Sequence, residues 1–385
     1  MMRIYLDSAS TTPVAPEIIE EMMPFLTHQF GNASSIHAFG QTTRNALELA
    51  REELAREIGA KPSEIFFTSS GTEADNLALK GFVMARLGEP IQIITSMLEH
   101  KAVLESVEWL QKTFKVAVDY VAHDEQGRLD LEDLKRKIRP NYRQLISVMH
   151  ANNELGNINP IKEIGAIAKS ANALLHTDAV QSAGKLKLHV DELGVDLMAI
   201  SGHKFYAPKG IGAIYIRTGV QVEALLHGGT HERNRRAGTE NVAFSVALAK
   251  ALKQAHAELQ QTNAHVALLR NVFLETLTKS GVPFQLNGDS EHCLPHILNL
   301  SFPIPSRQKL VGDVLLLAFD AAGVAVSSGS ACTSGTAKPS HVLLALGKTE
   351  HEARASVRVS FSKFNTVEEI SQAASRMAEV LKRLL

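Results

Sequence analysis

Short apolar segments alternate with longer segments of helical periodicity between about residues 40 and 220. In one of the longer segments Leu47, Ala50, Leu54 and Ile58 recur every three or four residues, which predicts an amphipathic helix. The apolar segments have the length of buried strands. They are residues 65–67, 91–95, 117–121, 145–148, 173–176, 195–200 and 211–216. This alternation predicts an α/β fold with a mainly parallel sheet, whose strands are joined by flanking helices.

The pattern changes after residue 229. A long helical pattern covers residues 241–280, and a smaller mixed region follows it to the C-terminus. Because the first pattern is typical of one sheet with crossovers and the second is not, we predict two domains. The large domain covers residues 14–255, and a smaller α+β domain combines residues 1–13 with 256–385.

The charges of the chain nearly cancel, because 40 lysines and arginines face 41 aspartates and glutamates. Such a balance offers no basic surface to nucleic acid or to an anionic membrane, so we expect a small-molecule partner. The N-terminus lacks the apolar core of a signal peptide, and no segment reaches transmembrane length. Two cysteines are too few for a disulfide framework. We therefore expect a cytoplasmic protein, and we predict no metal site.

The most informative motif is Ser201-Gly202-His203-Lys204, which follows the apolar segment 195–200. A lysine amine can form a Schiff base with the aldehyde of pyridoxal phosphate. The serine, the histidine and the glycine backbone can hold its phosphate. An ordinary surface turn with a solvated lysine is the alternative for this motif alone. The motif predicts Lys204 as the catalytic centre of a pyridoxal phosphate site.

A second turn, Ser69-Ser70-Gly71-Thr72, follows the strand at 65–67 and opens a helix. The free backbone amides at a helix N-terminus suit a phosphate group, so Gly71 and Thr72 are candidate phosphate ligands. Thr72 and Asp75 could instead simply cap the helix.

Three further candidates follow other predicted strands. Asp178 could keep a pyridine nitrogen protonated, and Gln181 could reach the ring hydroxyl. His100 could stack on the ring or relay a proton. Asn153 offers an amide to a substrate carboxylate or to the ring oxygen. The alternatives are a turn-capping aspartate, a histidine of no special function and a plain asparagine turn.

Cys332 lies in a run of small, mostly polar residues, 327–336. A thiol in such a loop is accessible, which favours a nucleophile over a structural cysteine, although an incidental loop cysteine is the alternative. Cys293 lacks this context. Arg358 alternates with apolar residues as in a strand and could clamp a carboxylate with two hydrogen bonds, or form an ordinary salt bridge.

Taken together and in this order, these motifs resemble the cysteine desulfurases of the NifS/IscS-like branch. These belong to the class V aminotransferases and to the fold-type I pyridoxal phosphate enzymes. The resemblance extends nearly from end to end. It rests on residues 5–7, 31–37, 68–73, 99–100, 152–154, 178–181, 201–204, 236–241, 328–332 and 358.

The resemblance implies a role for each candidate. Lys204 carries the cofactor, Asp178 pairs with its pyridinium nitrogen and His100 stacks on its ring. Gln181 and Asn153 contact the ring oxygen. The phosphate ligands implied are Gly71, Thr72, Ser201 and His203, with Thr239 reaching the phosphate from a second subunit. Arg358 binds the substrate carboxylate, helped by Asn153 or Asn32.

The resemblance also implies a reaction and its partners. L-cysteine is converted to L-alanine, and its sulfur becomes a persulfide on Cys332. The sulfur then passes to an acceptor protein, either a scaffold for iron–sulfur clusters or an enzyme that thiolates transfer RNA. A homodimer with shared sites is expected.

Some residues depart from the family pattern, among them Ser8, Ser10 and the segments 230–234 and 361–365. None of these changes removes a predicted catalytic group. A selenocysteine lyase, or another class V activity with the same cofactor, is the enzymatic alternative. A scaffold protein without activity is the other alternative, although a scaffold has no chemical need for Lys204, Asp178, His100 and Cys332 together.

Overall fold

The central sheet places the carboxyl ends of several strands at one edge. The computed structural model describes residues 3–304, 311–328 and 339–384. Within these residues the central sheet has seven strands in the order β2-β8-β7-β6-β5-β3-β4. The strands of the chain are β1 Ile4–Tyr5, β2 Ile65–Thr68, β3 Ile91–Ser96, β4 Ala117–Val121, β5 Arg143–Ser147, β6 Leu174–Asp178, β7 Leu197–Ser201, β8 Gly212–Ile216, β9 Gln285–Leu286, β10 Ile297–Ser301, β11 Val324–Ala325 and β12 Ser356–Ser360.

Most neighbours in this sheet are parallel. Strands β4, β3, β5, β6 and β7 pair in parallel, whereas β8 runs antiparallel to both β7 and β2. The residues of β3, β5, β6 and β7 are almost all buried, as expected for strands covered by helices on both faces. The predicted α/β fold with a mainly parallel sheet is confirmed.

Helices cover the sheet and continue into the second half of the chain. The predicted stripe of Leu47, Ala50, Leu54 and Ile58 is buried, on helix α2 and at its C-terminal cap. The helices are α1 Pro16–Thr27, α2 Ala38–Glu57, α3 Gly71–Met84, α4 Lys101–Phe114, α5 Leu131–Lys137, α6 Ile161–Ser170, α7 Val190–Leu193, α8 Val242–Ala257, α9 Leu259–Lys279, α10 Val311–Ala321, α11 His341–Ala345, α12 Glu350–Arg354 and α13 Val367–Leu384.

The long helical pattern over residues 241–280 forms two helices rather than one. Helix α8 ends and α9 begins at Glu258, whose carboxylate accepts hydrogen bonds from Gln254 (2.9 Å) and Lys363 (2.7 Å). The two helices bury their apolar sides in different places, since α8 packs on α1 and α2 and α9 packs on α13. The break allows each helix to face its own core.

A second core lies beside a smaller sheet, in which β10 pairs antiparallel with β9 and β12. Strand β1 pairs in parallel with β11, so the N-terminus of the chain joins this core. The final helix begins at a capping box, in which Thr366 and Glu369 exchange hydrogen bonds of 3.0 and 3.2 Å. The division of the chain into residues 14–255 and the remainder stays a prediction.

In the described part of the chain, no helix combines the length and the apolar character that a membrane span requires.

A strained segment close to the sheet is held by a buried ion pair. Glu232, Arg233 and Asn234 have φ values of 45°, 53° and 64°, a conformation that side chains other than glycine adopt at a cost. The Glu232 carboxylate accepts two hydrogen bonds from Arg51, of 2.7 and 2.8 Å, and one from the amide of Phe67 (2.9 Å). This ion pair therefore fixes the strained segment against the end of β2.

We predict that Glu232→Gln lowers the free energy of unfolding by about 3 kcal/mol, because it leaves the Arg51 charge buried without its carboxylate partner. Equilibrium urea denaturation measures this loss. The matched control is Glu48→Gln, since the Glu48 carboxylate also bonds Arg51 (3.1 Å) but is 45% exposed. The control should lose less than about 1 kcal/mol. Equal losses in the two variants would contradict the prediction.

Candidate active site

Most of the predicted site residues meet in one cavity of about 680 Å³, at the carboxyl ends of the sheet strands. This is the position where open α/β sheets bind their ligands. The predicted residues that line the cavity are Gly71, Thr72, His100, Asn153, Asp178, Gln181, Ser201, His203, Lys204 and Arg358. They come from both halves of the chain, so the cavity is composite.

One end of the cavity is suited to an anion. Helix α3 begins there, and its cap residue Ser70 accepts a hydrogen bond from the amide of Glu73 (3.1 Å). The amides of Gly71 and Thr72 belong to the first turn, whose donors have no partner within a helix. A Cβ atom at Gly71 would lie 2.5 Å from Cγ2 of Val180, so only glycine fits at this point.

Lys204 lies in the short 3₁₀ turn Gly202–Lys204 that follows β7. Its Nζ donates to the carbonyl oxygens of Ala9 and Ser10, both at 2.7 Å. Burial and, to a lesser extent, the positive charge of Arg358 together lower the pKa of Lys204 to about 8, against the opposing effect of Asp178. Lys204 therefore has a substantial fraction of neutral, nucleophilic amine near pH 8.

Two polar groups lie at the floor of the cavity, at the end of β6. The Asp178 carboxylate accepts a hydrogen bond from the amide of Val180 (2.8 Å). Burial raises the pKa of Asp178 to about 6, while the Val180 bond and the charge of Lys204 oppose the rise. Gln181 donates from Nε2 to Ala9 (2.9 Å), and its buried Oε1 has no partner in the part of the chain that the structure describes.

His100 forms a wall of the cavity and caps helix α4. Its Nδ1 accepts a hydrogen bond from the amide of Ala102 (3.1 Å), so in the neutral ring the proton is on Nε2. Burial lowers the pKa of His100 to about 4, and the charge of Lys204 adds to this effect. The ring is therefore uncharged at neutral pH and can lie against a flat apolar or aromatic group.

Arg358 comes from the opposite side of the cavity, on β12. Its Nη2 donates to Asp7 (2.9 Å) and to Ser10 Oγ (2.6 Å), and its Nη1 donates to the backbone oxygen of Asn153 (2.8 Å). The residue is only 3% exposed, yet it lines the cavity. A buried guanidinium at this position can bind a carboxylate that enters the cavity.

Some predicted residues lie elsewhere. Asn32 is exposed and bonds its own turn, where its side chain accepts from the amide of Ser34 (2.8 Å). Thr239 is exposed and lines a separate cavity of about 260 Å³, together with Arg236 and Glu240. Cys332 lies outside the described residues. Cys293 is partly buried, and burial raises the pKa of its thiol.

Sequence reasoning missed several residues that line the cavity, namely Ser10, Asp75, Glu154, Ser327 and His341. Ser10 was visible in the sequence only as a departure from the family pattern, and Asp75 only as a helix cap. Glu154 is buried next to the predicted Asn153 and accepts a hydrogen bond from Ser340. No sequence signal marks Ser327 or His341 as members of the site.

Among the described residues, no three or more His, Cys, Asp and Glu side chains group as metal ligands would. The donors present fit pyridoxal phosphate instead. The first turn of α3 suits a phosphate, and Asp178 suits a protonated ring nitrogen. The unpartnered Oε1 of Gln181 suits a ring hydroxyl, and Lys204 supplies an amine for an aldehyde.

Known proteins match this chain over nearly its whole length. The family model described as aminotransferase class V matches residues 4–373. The chain is 45% identical over 385 residues to the putative cysteine desulfurase IscS 1 of Bacillus subtilis, with 100% of both chains covered. Among solved structures it is similar to a NifS-like protein, with a TM-score of 0.91, 37% identity and 100% of both chains covered.

A third similar protein is SspA, whose structure was solved in complex with cysteine. It has a TM-score of 0.81 and 35% identity, with 94% of this chain and 99% of SspA covered. The family model and the full-length relatives agree with the resemblance of the motifs and with the fold-type I architecture. The chain therefore belongs to the class V aminotransferases and, within them, to the cysteine desulfurase family.

Proposed function

We propose that this protein is a pyridoxal phosphate-dependent cysteine desulfurase, which converts L-cysteine to L-alanine and keeps the sulfur as a persulfide on Cys332. One observation supports this most directly. The Lys204 amine, the buried Asp178 carboxylate and the Arg358 guanidinium line a single cavity. Cofactor attachment, ring protonation and substrate carboxylate binding each require one of these groups.

Specific residues would hold the cofactor. Gly71, Thr72, Ser201 and His203 would bind the phosphate, and Asp178 would keep the ring nitrogen protonated. When bound, pyridoxal phosphate supplies an electron-withdrawing ring that accepts the electron pair released at the substrate Cα. Because the pKa of His100 is lowered, its neutral ring can cover this group without adding a positive charge.

Arg358 would orient the substrate. Its Nη2 contacts Asp7 and Ser10, which hold the guanidinium at the cavity wall. A substrate carboxylate would bind the same guanidinium, with the Asn153 side chain as a further donor. The amino acid is thereby placed with its Cα close to the Lys204 amine, which would take the Cα proton and later return it.

Cys332 would carry out the sulfur transfer. Its thiolate attacks the Sγ atom of L-cysteine, a sulfur–sulfur bond forms and the Cβ–Sγ bond breaks. The electron pair of that bond stays with the carbon skeleton, which gains a proton and leaves as L-alanine. The net change converts L-cysteine and a thiol to L-alanine and a persulfide, so no external oxidant is needed.

We further propose a cytoplasmic homodimer that passes its sulfur to an acceptor protein, either an iron–sulfur scaffold or a transfer RNA-thiolating enzyme. Thr239 is exposed and lies outside the main cavity, as required of a residue that serves the phosphate site of a second copy. The Asn32 side chain lies outside that cavity too, so of the predicted substrate ligands we retain Arg358 and Asn153.

Product analysis tests the proposed reaction. The cofactor-loaded protein, incubated with L-cysteine and a thiol reductant, should release alanine and sulfide in equal amounts. Cys332→Ala should lose sulfide release while it keeps the cofactor absorbance, because the variant lacks only the sulfur-accepting thiol. The matched control is Cys293→Ala, which should keep both products.

Other products would reject the assignment. Pyruvate, or no product at all, would exclude desulfuration. Alanine released from selenocysteine by both the wild type and Cys332→Ala, while the wild type has no activity on cysteine, would favour the selenocysteine lyase.

The lowered pKa of Lys204 predicts how cofactor uptake depends on pH. Covalent uptake of pyridoxal phosphate by the cofactor-free protein needs the neutral amine, so its rate should rise with pH up to about 8 and then level off. Stopped-flow absorbance measures this rate. Nα-acetyl-lysine, with a pKa near the ordinary 10.5, is the control and should keep accelerating above pH 9. A protein rate that follows the control would contradict the prediction.

Substitution of Arg358 tests the carboxylate site. Arg358→Lys keeps the charge but loses the two-pronged geometry, so kcat/KM for L-cysteine should fall by about 10- to 100-fold, mainly through KM. The cofactor absorbance should not change. The control is Arg354→Lys, four residues earlier, where the arginine pairs with Glu350 at 2.9 Å. An unchanged KM in Arg358→Lys would rule out this role.

A further inference from the structure

Two buried residues beneath Asp178 have no role in the proposed reaction. Asp75, on α3, is 1% exposed, and His176, on β6, is 0% exposed. His176 Nε2 lies 3.5 Å from Asp75 Oδ1. Within the described residues, neither atom makes a hydrogen bond, although the two lie opposite each other at that distance. For a buried acid and a buried base at this distance, burial and the surrounding charges decide which of the two carries the proton.

The second nitrogen of His176 is already occupied. Its Nδ1 lies 2.9 Å from Ser147 Oγ, on the neighbouring strand β5, where Ser147 is paired in register with His176. If Nδ1 donates to Ser147, Nε2 is left as an acceptor that needs a donor from Asp75. The ring is thus fixed on both sides, between a strand and a helix.

The surrounding charges decide where the proton lies. The other carboxylates that act on Asp75 are Asp178 and Glu99, and both repel a negative charge there. Asp178 has the amide of Val180 and the positive charge of Lys204 to stabilise its ionised form. Asp75 has neither. Glu99 accepts the amide of Met149 with both oxygens, at 3.0 Å.

Burial acts on the two partners in opposite directions. It raises the pKa of Asp75, with the charges of Asp178 and Glu99 adding to the rise. Burial alone lowers the pKa of His176 to about 3. Both effects favour the neutral forms, a protonated carboxyl group and an uncharged imidazole. Two carboxylates that share a buried site do not both ionise when only one is stabilised.

We propose that Asp75 and His176 form a neutral pair in which Asp75 carries the proton and donates it to His176 Nε2, so that Asp178 is the charged carboxylate at the cavity floor. Asp75 and His176 are then positioning residues, which act on the cofactor through Asp178. The inference rests on the proposed function in one respect, namely that the cation held by Asp178 is a protonated ring nitrogen.

The pair has a definite consequence for Asp178. An ionised Asp75 would repel the negative charge of Asp178. Asp178 would then tend to bind a proton and lose the charge that faces the ring nitrogen. A neutral donor instead satisfies His176 and leaves one negative charge opposite one positive charge, the arrangement with the smallest cost of burial.

The test compares the holoenzyme with Asp75→Asn by infrared spectroscopy and by cofactor dissociation. The difference spectrum of wild type minus Asp75→Asn should contain the carbonyl stretching band of a protonated carboxylic acid. Burial also raises the pKa of Glu99 and of Glu154, but their contributions are common to both proteins and cancel in this difference. The amide of the variant can still donate to His176, so the cofactor dissociation constant should stay within about 3-fold of wild type, whereas Asp75→Ala should weaken binding by about 10-fold. Asp178→Asn should weaken it more than either.

Two controls identify the source of the band. Glu99→Gln and Glu154→Gln should both keep it, since these are the other buried carboxylates near the cavity. Loss of the band in either control, or a difference spectrum of wild type minus Asp75→Asn that lacks the band, would overturn the proposal. If Asp75→Asn does not fold, Asp75→Ala replaces it in the difference spectrum, and absence of the band there rejects the pair. None of these readouts needs turnover, so a failed product assay would leave this test unaffected.

Discussion

The N-terminal segment of the chain ties the two sides of the cavity together, and the geometry of the site depends on it. Its carbonyl groups at Ala9 and Ser10 accept both hydrogen bonds of the Lys204 amine. Its Asp7 carboxylate and Ser10 hydroxyl accept those of Arg358. Without this segment the Lys204 amine would lose the acceptors Ala9 and Ser10, and Arg358 would keep its bond to the Asn153 backbone oxygen but lose those to Asp7 and Ser10. The distance between them is thus set by a few residues that belong to neither of the two larger cores.

The same segment explains how far sequence reasoning could reach. Lys204 and Asp178 were predictable, because each follows an apolar strand and parallel strands end at one edge of a sheet. Ser10 was not, because its contact with Arg358 joins positions 348 residues apart and leaves no periodic signal. Asp75 illustrates a different difficulty. The sequence offered it as a helix cap, but Ser70 caps α3, and only the packing of α3 on β6 brings Asp75 to His176.

The helical pattern over residues 241–280 shows a further limit. Apolar periodicity records that a helix buries one face, but not which core receives it. Since α8 packs on α1 and α2 whereas α9 packs on α13, the chain must turn between them, and the turn at Glu258 is stabilised by contacts with Gln254 and Lys363. The Lys363 contact comes from a segment more than 100 residues away, so local pattern could not reveal it.

Thr239 and Asn32 show another limit, because roles carried over from a family do not specify in which cavity of a single chain a residue lies.

Charge placement connects the fold to the chemistry. Burial shifts the pKa values of Lys204, His100 and Asp178, yet the shifts serve different purposes. A lowered pKa at Lys204 provides a neutral amine, and a lowered pKa at His100 provides an uncharged ring. Asp178, in contrast, must stay ionised although burial opposes it, and it has only the Val180 amide and the Lys204 charge in its favour. When Lys204 holds a cofactor, its amine no longer supplies a full positive charge to Asp178. The ionised state of Asp178 then depends on the cation of the cofactor and on the absence of a second negative charge nearby. That dependence gives the neutral state of Asp75 a physical purpose, and it accounts for a histidine buried behind a carboxylate that would otherwise have no reason to be there.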